Sequence, residues 1–485
     1  MKRTNPIKLI STLWLIIGLF PWLAWAEAEM PAPETYLPST AEIMKQKASF
    51  NDRTDLFKTF NPKDILPPEI WKHMNFDVEE MKKQTAEILG FASPEIVGKI
   101  APEIKPGKYT YKDLDKHPGL KELFTPMVLK TVKAGGPPYV CSIMDFEIQP
   151  TRQLHWALSL CELTKKNLGK TQLDKDGYIV AGSWQGGVPF PRPSGKFTAQ
   201  QVYYNFEKRS QSYDKCNRLT GEGLAFDKNL RVDKYNKYAQ KKIRLMGRAL
   251  IPPFGFFDKR AEKRGEFEIT ATEIYEPRAN RGLVTMTLRY DDPYKMDPTL
   301  MYLPQMRRVR KMSSTDTQDP NGDSLYDDRG FLLQKITPKR YPYKFEIIDE
   351  REYLLAVSYN YATSWVDKEN GYAVRDLGFM RRPCYVLQMT QLDPNYTYSK
   401  RIYYIDKESW APTFAEFYDQ KGRLYRTYNV SFGFIPEVGQ MVPHGTPAWQ
   451  VDQVDTHSSY QILVYLPANF SRNDVNMKNM IRSGK

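Results

Sequence analysis

The chain is poor in the residues from which most catalytic sites are built. Among 485 residues there are four Cys and five His. Cys141, Cys161, Cys216 and Cys384 lie far apart and show no CxxC spacing, which argues against a zinc or redox centre. His73, His117, His155, His444 and His457 are scattered, with no HxxxH or HExxH pair, so surface and capping roles are expected rather than metal ligation. No GxxxxGK[ST] phosphate loop is present, and no GxGxxG follows a strand. Gly182-Ser183-Trp184-Gln185-Gly186 fails as a nucleophile elbow because Ala181 stands where glycine is required. Asp319-Pro-Asn-Gly-Asp323 alternates oxygen donors, but a calcium loop then needs Gly at 324 and Glu at 330, where this chain has Ser324 and Gly330. Asp327 and Asp328 beside Arg329 read as a salt-bridged loop rather than an acid–base pair. Internal repeats and low-complexity tracts are also missing. The pattern assigns no catalytic residue, no metal and no cofactor, and it favours a binding or carrier protein over an enzyme.

The N-terminus carries an address. Lys2, Arg3 and Lys8 precede an apolar run from Leu9 to Phe20, and Ala24-Trp25-Ala26 places small residues at both cleavage subsites. Residues 1–26 therefore read as a cleaved signal peptide. The alternative is an uncleaved anchor, since Leu9 to Ala26 is nearly long enough to span a bilayer, although Pro21 interrupts it. No Cys lies near residue 26 to accept a lipid. The expected compartment is the periplasm of a Gram-negative envelope. There, an even cysteine count permits two disulfides; Cys141–Cys161 with Cys216–Cys384 is one arrangement, and buried free thiols are the other. The formal net charge is +13, and losing residues 1–26 removes three cations and no acids, leaving +10. Such an excess bears on contacts rather than on fold. Anionic headgroups and acidic protein faces are the partners it suits, by peripheral membrane contact in the first case. Nucleic acid is not expected in that compartment.

Residues 27–135 differ from the rest. They are rich in Lys, Glu and Pro, and Val78, Met81, Thr85 and Ile88 fall at helical spacing ahead of Gly90, a natural C-cap. This section reads as a helical, partly extended N-terminal arm that ends at Ala134-Gly-Gly-Pro-Pro138. A helix is expected near 198–209, where Ala199, Val202, Tyr203 and Phe206 fall at i, i+3, i+4 and i+7. From Glu266 onward the period becomes two. Phe267, Ile269 and Ala271 alternate with polar residues, as do Val284, Met286, Leu288 and Tyr290, then Tyr343, Phe345 and Ile347, then Tyr385, Leu387 and Met389. Phe414 to Arg426 reads as a hairpin that turns at Gly422, and Ile462 to Leu466 closes the series. The expected fold is α+β and β-dominated: a curved antiparallel sheet over 136–485, half wrapped around a core or cavity.

One block stands out, Met301-Tyr-Leu-Pro-Gln-Met-Arg-Arg-Val-Arg-Lys311, with four cations in five residues. In a strand Arg308 and Arg310 point one way and Arg307, Val309 and Lys311 the other. The cations could pair with Asp323, Asp327 and Asp328, or form a rim that meets an anionic group. Tyr302, Pro304, Arg307, Arg308 and Arg310, followed by Asp323 to Asp328, resemble the signature of outer-membrane lipoprotein-sorting proteins. Tyr398-Ser-Lys-Arg-Ile-Tyr-Tyr-Ile-Asp406, Trp410 and Phe417 to Arg426 resemble the same group. Gly186-Gly-Val-Pro-Phe-Pro191 ahead of a helix is similar to domain-of-unknown-function family 1329, as are Tyr111 to Leu120 and Pro150-Thr-Arg152.

That resemblance implies a fold like LolA and LolB, an incomplete β-barrel holding a greasy cavity under a helical lid. It implies a carrier of lipid or other hydrophobic cargo, serving a resistance-nodulation-division type exporter or an outer-membrane protein. It supplies no catalytic residues. On this reading Val284, Met286, Leu288, Tyr290, Tyr385, Leu387 and Met389 line the cavity, with the basic block at its rim. The chain lacks the lipoprotein cysteine of LolB and is much longer than LolA, so the identity of the cargo is not implied. A structural or assembly subunit with a dry core is the competing expectation.

Overall fold

The computed structural model describes residues 77–312, 336–338, 340–360, 364–443 and 447–483. The signal segment, the acids from Asp319 to Asp328, and His73 and His444 lie outside these residues.

Fifteen strands form one sheet: β1 (Gly107–Thr110), β2 (Asp145–Ile148), β3 (Asn217–Phe226), β4 (Val232–Arg244), β5 (Glu266–Glu276), β6 (Val284–Tyr290), β7 (Thr299–Leu303), β8 (Arg308–Met312), β9 (Tyr343–Leu355), β10 (Leu377–Gln391), β11 (Lys400–Asp406), β12 (Pro412–Tyr418), β13 (Leu424–Val430), β14 (Pro447–Asp452) and β15 (Ser458–Pro467). Their spatial order is β1-β2-β10-β11-β12-β13-β14-β15-β3-β4-β5-β6-β7-β8, with β9 also on β10. The sheet is curved and does not close into a barrel. Pairing is antiparallel except between β2 and β10. Ile462 to Leu466 does not end the sheet. It lies in β15, which pairs with β14 on one side and β3 on the other, so the last strand of the chain joins its two halves.

The four longest helices among the described residues pack on the sheet or on one another. In α1 (Val78–Leu89) the Asp77 side chain accepts from the Glu80 N–H at 3.1 Å. Gly90, at φ +87°, closes the helix with its N–H on Ala86 O. That conformation suits glycine because it has no Cβ to clash. α2 (Leu158–Asn167) packs against α1. α3 (Thr198–Lys208) buries Ala199, Val202, Tyr203 and Phe206 against β9 and β10. α4 (Met477–Ser483) packs on β5, β6 and β7. Residues 107–110, within the section read as an arm, supply β1 of the main sheet.

Through the middle of the sheet, from β10 to β3, both faces are covered, so strict alternation of apolar and polar side chains does not translate into buried and exposed. All ten residues of β15 are buried. Paired residues in an antiparallel ladder share a face, and Leu387, Tyr403, Ala415, Tyr428, Gln450 and Ser459 form one row on the α3 side. Opposite α3, the sheet is covered near β3 and β15 by Tyr372, whose ring lies 4.5 Å from Phe226, and by Val140, whose N–H donates to Ser458 Oγ. A second, smaller cluster of Ile243, Ala271, Val284, Leu466, Phe470 and Met480 lies under α4.

Two consecutive arginines in β10 lock the N-terminal section to the sheet. Arg382 donates to Asp406 Oδ2 and to Glu408 Oε2, each at 2.6 Å, and all three side chains are buried. Glu408 also accepts from the N–H groups of Ser93 and Leu154 at 2.7 Å. Arg381 pairs with Glu352 at 2.9 Å and donates to the carbonyls of Ile100, Ala101 and Ile104.

The disulfides considered from the sequence are not formed: all four cysteines are free and buried. Each thiol has its own surroundings. Cys161 meets Thr85 Oγ1, Cys216 meets the Arg248 guanidinium, and Cys384 donates to Arg382 O. Burial pushes the Cys161 thiol up to about 12, so it is a poor thiolate.

Removing Arg382 would leave two buried carboxylates without their cation. Arg382→Met is expected to cost about 3–5 kcal/mol, read as a lower midpoint in urea unfolding. The far N-terminal section should lose amide protection with it.

Candidate functional site

The residues expected to line a cavity fall on opposite faces of the sheet. Met286 pairs with Ala271 and Leu288 with Ile269, on the side that faces α4. Tyr302, paired with Val284, faces the same way. Leu387 and Met389 are buried on the α3 side, and Tyr385 stacks on Trp410 at 6.3 Å. Tyr290 sits under the Lys295 ammonium. The two groups therefore cannot line one cavity. Period-two spacing identified strands, but it could not say which face of each strand would share a neighbour.

The basic block is a hairpin at the end of the sheet. Pro304 and Arg307, the latter at φ +50°, make the turn between β7 and β8. Every residue of β8 is exposed, including Arg308, Arg310 and Lys311. Arg310 lies on the α3 side, in the row Tyr465, Leu219, Gln240, Thr272, Thr285, Met301, Arg310. It is thus on the same face as Leu387 and separated from it by most of the width of the sheet.

The unusual chemistry lies at the C-terminal end of α3. Lys208, with a fully buried side chain, donates to Asp291 Oδ1 at 2.7 Å and pairs with Glu207 at 3.1 Å. Its ammonium also lies over the rings of Trp184 and Phe267. The chain then makes a left-handed turn: Ser212, Tyr213, Asp214 and Lys215 have φ of 50°, 59°, 57° and 55°. Non-glycine residues seldom adopt this conformation in succession, because each costs about 1–2 kcal/mol. Surrounding contacts hold it. Ser212 N–H donates to Met441 O, Asp214 N–H to Gln440 Oε1, and the Asp214 carboxylate accepts from Ala249 N–H and from Arg244 Nη1.

This turn delivers Lys215 to Glu268 at 3.1 Å. Arg244, Arg209 and Arg289 also act on Lys215, so its field is set by three guanidiniums against one carboxylate. Burial, with those arginines, brings the Lys215 ammonium down to about 7. Burial would raise the Glu268 carboxyl, but Lys215 and Arg289 overcome it and hold it at about 2. Arg209 is buried and donates to Gln211 Oε1 and Phe206 O; among the described residues it has no carboxylate in ion-pair range. Burial and the neighbouring Arg244 lower it to about 9.

Arg209 also lines a small cavity of about 20 Å³ together with His155, Trp156, Ser210, Trp410 and Phe434. A space of that size takes about one water, not an acyl chain. His155 Nε2 meets Pro436 O at 2.8 Å, and burial lowers its pKa, so the ring is neutral. No group of His, Cys, Asp and Glu among the described residues is arranged to hold a metal.

The model of the family described as Protein of unknown function (DUF1329) matches residues 121–464. The chain belongs to that family. No curated protein matches it. Several solved structures are similar, and three of them follow. One is a domain from Vibrio parahaemolyticus described as an outer membrane lipoprotein-sorting protein, 17% identical, covering 58% of this chain and 97% of its own, with a TM-score of 0.39. Another is a DUF1329 family protein from Desulfovibrio piger, 12% identical, covering 56% and 93%, TM-score 0.37. The third is a LolA superfamily protein from Nitrosomonas europaea, 13% identical, covering 58% and 98%, TM-score 0.35. Likeness this distant extends no residue role to the present chain. The DUF1329 match spans α3, the left-handed turn and the hairpin, so the cationic site lies inside the family region.

Sequence reasoning passed over Arg209, Lys215 and Glu268. Their only local signal is the run of charge just after an amphipathic helix, which ordinarily marks a solvated end.

The geometry sets two measurable expectations. The unfolded chain keeps the Lys215 proton up to its ordinary value of 10.5, whereas the folded protein releases it near 7. Between those values the unfolded state binds more protons, so stability gains from rising pH. Lys215→Met should remove that gain, and urea midpoints of variant and parent from pH 6 to 10 will show the difference narrowing upward. For the exposed hairpin, Arg308→Glu with Arg310→Glu should change stability by less than about 1 kcal/mol, checked by thermal unfolding.

Proposed function

We propose that this DUF1329 protein is a non-enzymatic periplasmic carrier that binds a hydrophobic or amphipathic molecule and hands it to another envelope component. The observation that most supports this reading is the placement of α3. It lies across an open sheet and ends in a buried cationic cluster, so one helix covers both an apolar and a charged surface. The apolar part is Leu387, Met389, Tyr403 and Phe206, with the Phe206 and Tyr403 rings 5.4 Å apart. Burial of cargo there would be driven at roughly 25 cal/mol per Å². On this reading the described conformation is a closed one, since the cavity beside Arg209 takes about one water, and cargo entry requires α3 to lift from β9 and β10. No helix among the described residues is long and apolar enough to cross a membrane. Lipoprotein sorting is what the Vibrio domain is described as doing; for this chain it is one form that a carrier's work could take.

The exposed basic edge favours a second reading, an assembly subunit that contacts an exporter or outer-membrane protein through β8. The small cavity suits it as well. Native mass spectrometry of gently purified protein, with uptake of a fluorescent fatty acid, separates the two. A lipid-sized adduct and saturable uptake are expected for a carrier. Absence of both, with co-purification of a membrane complex, would establish the assembly role instead.

A further inference from the structure

We propose that Arg209 and Lys215 form an anion-binding site that takes a carboxylate or phosphate group. This deepens the carrier reading, on which it rests, by naming the head group that its cargo would present.

Three observations converge. Arg209 is a buried guanidinium with no carboxylate in ion-pair range among the described residues, Glu268 acting on it only from farther off, and it lines the small cavity beside Ser210 and Trp410. Its permanent charge is costly to bury without an anion. Lys215 is the outlet of the same cluster: 18% of its side chain reaches solvent, while the Lys208 and Arg244 side chains are 0% and 1% exposed. Among the described residues its one ion-pair partner is Glu268, which also meets Arg289 at a loose 3.9 Å. Lastly, the left-handed turn from Ser212 to Lys215 is a strained device that costs stability and places Lys215 at this point; such strain concentrates at functional sites.

The groups that face Lys215 come from every neighbouring element. Arg209 follows α3, Asp214 precedes it in the turn, Arg244 and Lys242 lie on β4, Glu268 on β5 and Arg289 on β6. Asp214 is engaged by Arg244, and Lys208 by Asp291 and Glu207. Glu268 is then the one carboxylate set against Lys215, Arg209 and Arg289, so the balance of charge is positive, and an incoming anion meets Lys215 and Arg209 and keeps the lysine protonated. Of the two cations only Arg209 lines the cavity, whose size suits a single carboxylate or phosphate oxygen. No covalent step is involved.

The test is isothermal titration calorimetry of the full chain as exported, at pH 7, in two buffers of different ionisation enthalpy. Inorganic phosphate is titrated first, then laurate below its micellar concentration. Saturable binding, with proton uptake by the protein and a loss of about tenfold or more in Lys215→Gln, supports the site. Arg209→Gln should weaken binding similarly; if that buried change prevents folding, Lys215→Gln decides. Binding of both anions means that the head group suffices, and binding of laurate but not phosphate means that the source is an amphiphile. No binding of either, or equal binding by Lys215→Gln, overturns the proposal. The carrier reading fails separately: phosphate binding without laurate uptake removes the carrier and keeps the site, while laurate uptake unchanged in Lys215→Gln does the reverse.

Discussion

The structure depends on burying Arg382 between Asp406 and Glu408. The guanidinium is completely enclosed, and its two carboxylates are two positions apart in the chain at the end of β11. Burying charge is unfavourable unless geometry and hydrogen bonding compensate. Here they do, because Glu408 also takes the N–H groups of Ser93 and Leu154. The same contact therefore settles where the N-terminal section lies, and with it one cover of the sheet. Arg381 repeats the arrangement one residue earlier, through Glu352 and the carbonyls from Ile100 to Ile104. A sheet buried on both faces needs such ties, since apolar surface alone does not specify which segment covers which strand.

The end of α3 shows what happens when buried charge is not matched this way. Lys208 has two carboxylates, as Arg382 does, and its charge is held. Arg209, the next residue, has a glutamine oxygen and a carbonyl. Lys215 is buried with one carboxylate and three guanidiniums around it, and burial, with those guanidiniums, brings it down to about 7. Fully matched charges build the fold. Incompletely matched ones, at the one place where the cluster reaches solvent, are where a ligand anion would complete the pairing. This contrast separates the two arginine-rich regions more clearly than charge content does, because the most charged block, Arg307 to Lys311, lies fully exposed and bears no weight in the core.

Much of the fold was legible in the sequence. The period-two runs mark β5, β6, β9 and β10, and Phe414 to Arg426 marks the β12–β13 hairpin. The helical spacing of Ala199, Val202, Tyr203 and Phe206 marks α3. β3 and β4 were not legible. Gly221 and Gly223 interrupt the first, and VDKYNKYAQKKIR in the second reads as a solvated charged segment. Gly221 is needed because a Cβ there would strike the Tyr238 ring from the neighbouring strand, a contact no local pattern announces. The site was less legible still. Ser212 to Lys215 contains no glycine to signal a left-handed turn, and Glu268 looks like the polar half of an alternating strand. Its burial follows only from the turn that covers it. Likewise, the assignment of Met286 and Leu387 to opposite faces depends on the order in which strands pair, which crosses from β15 back to β3.

The central claim is that α3 covers a place where an amphipathic anion binds, with its head at Arg209 and Lys215. A crystal structure of the full chain grown with laurate tests it most directly. The expected result is a carboxylate against Arg209 and Lys215, a chain running toward Leu387 and Met389, and α3 displaced from β9 and β10. Laurate absent from that face, with α3 seated as in the unliganded protein, would contradict it.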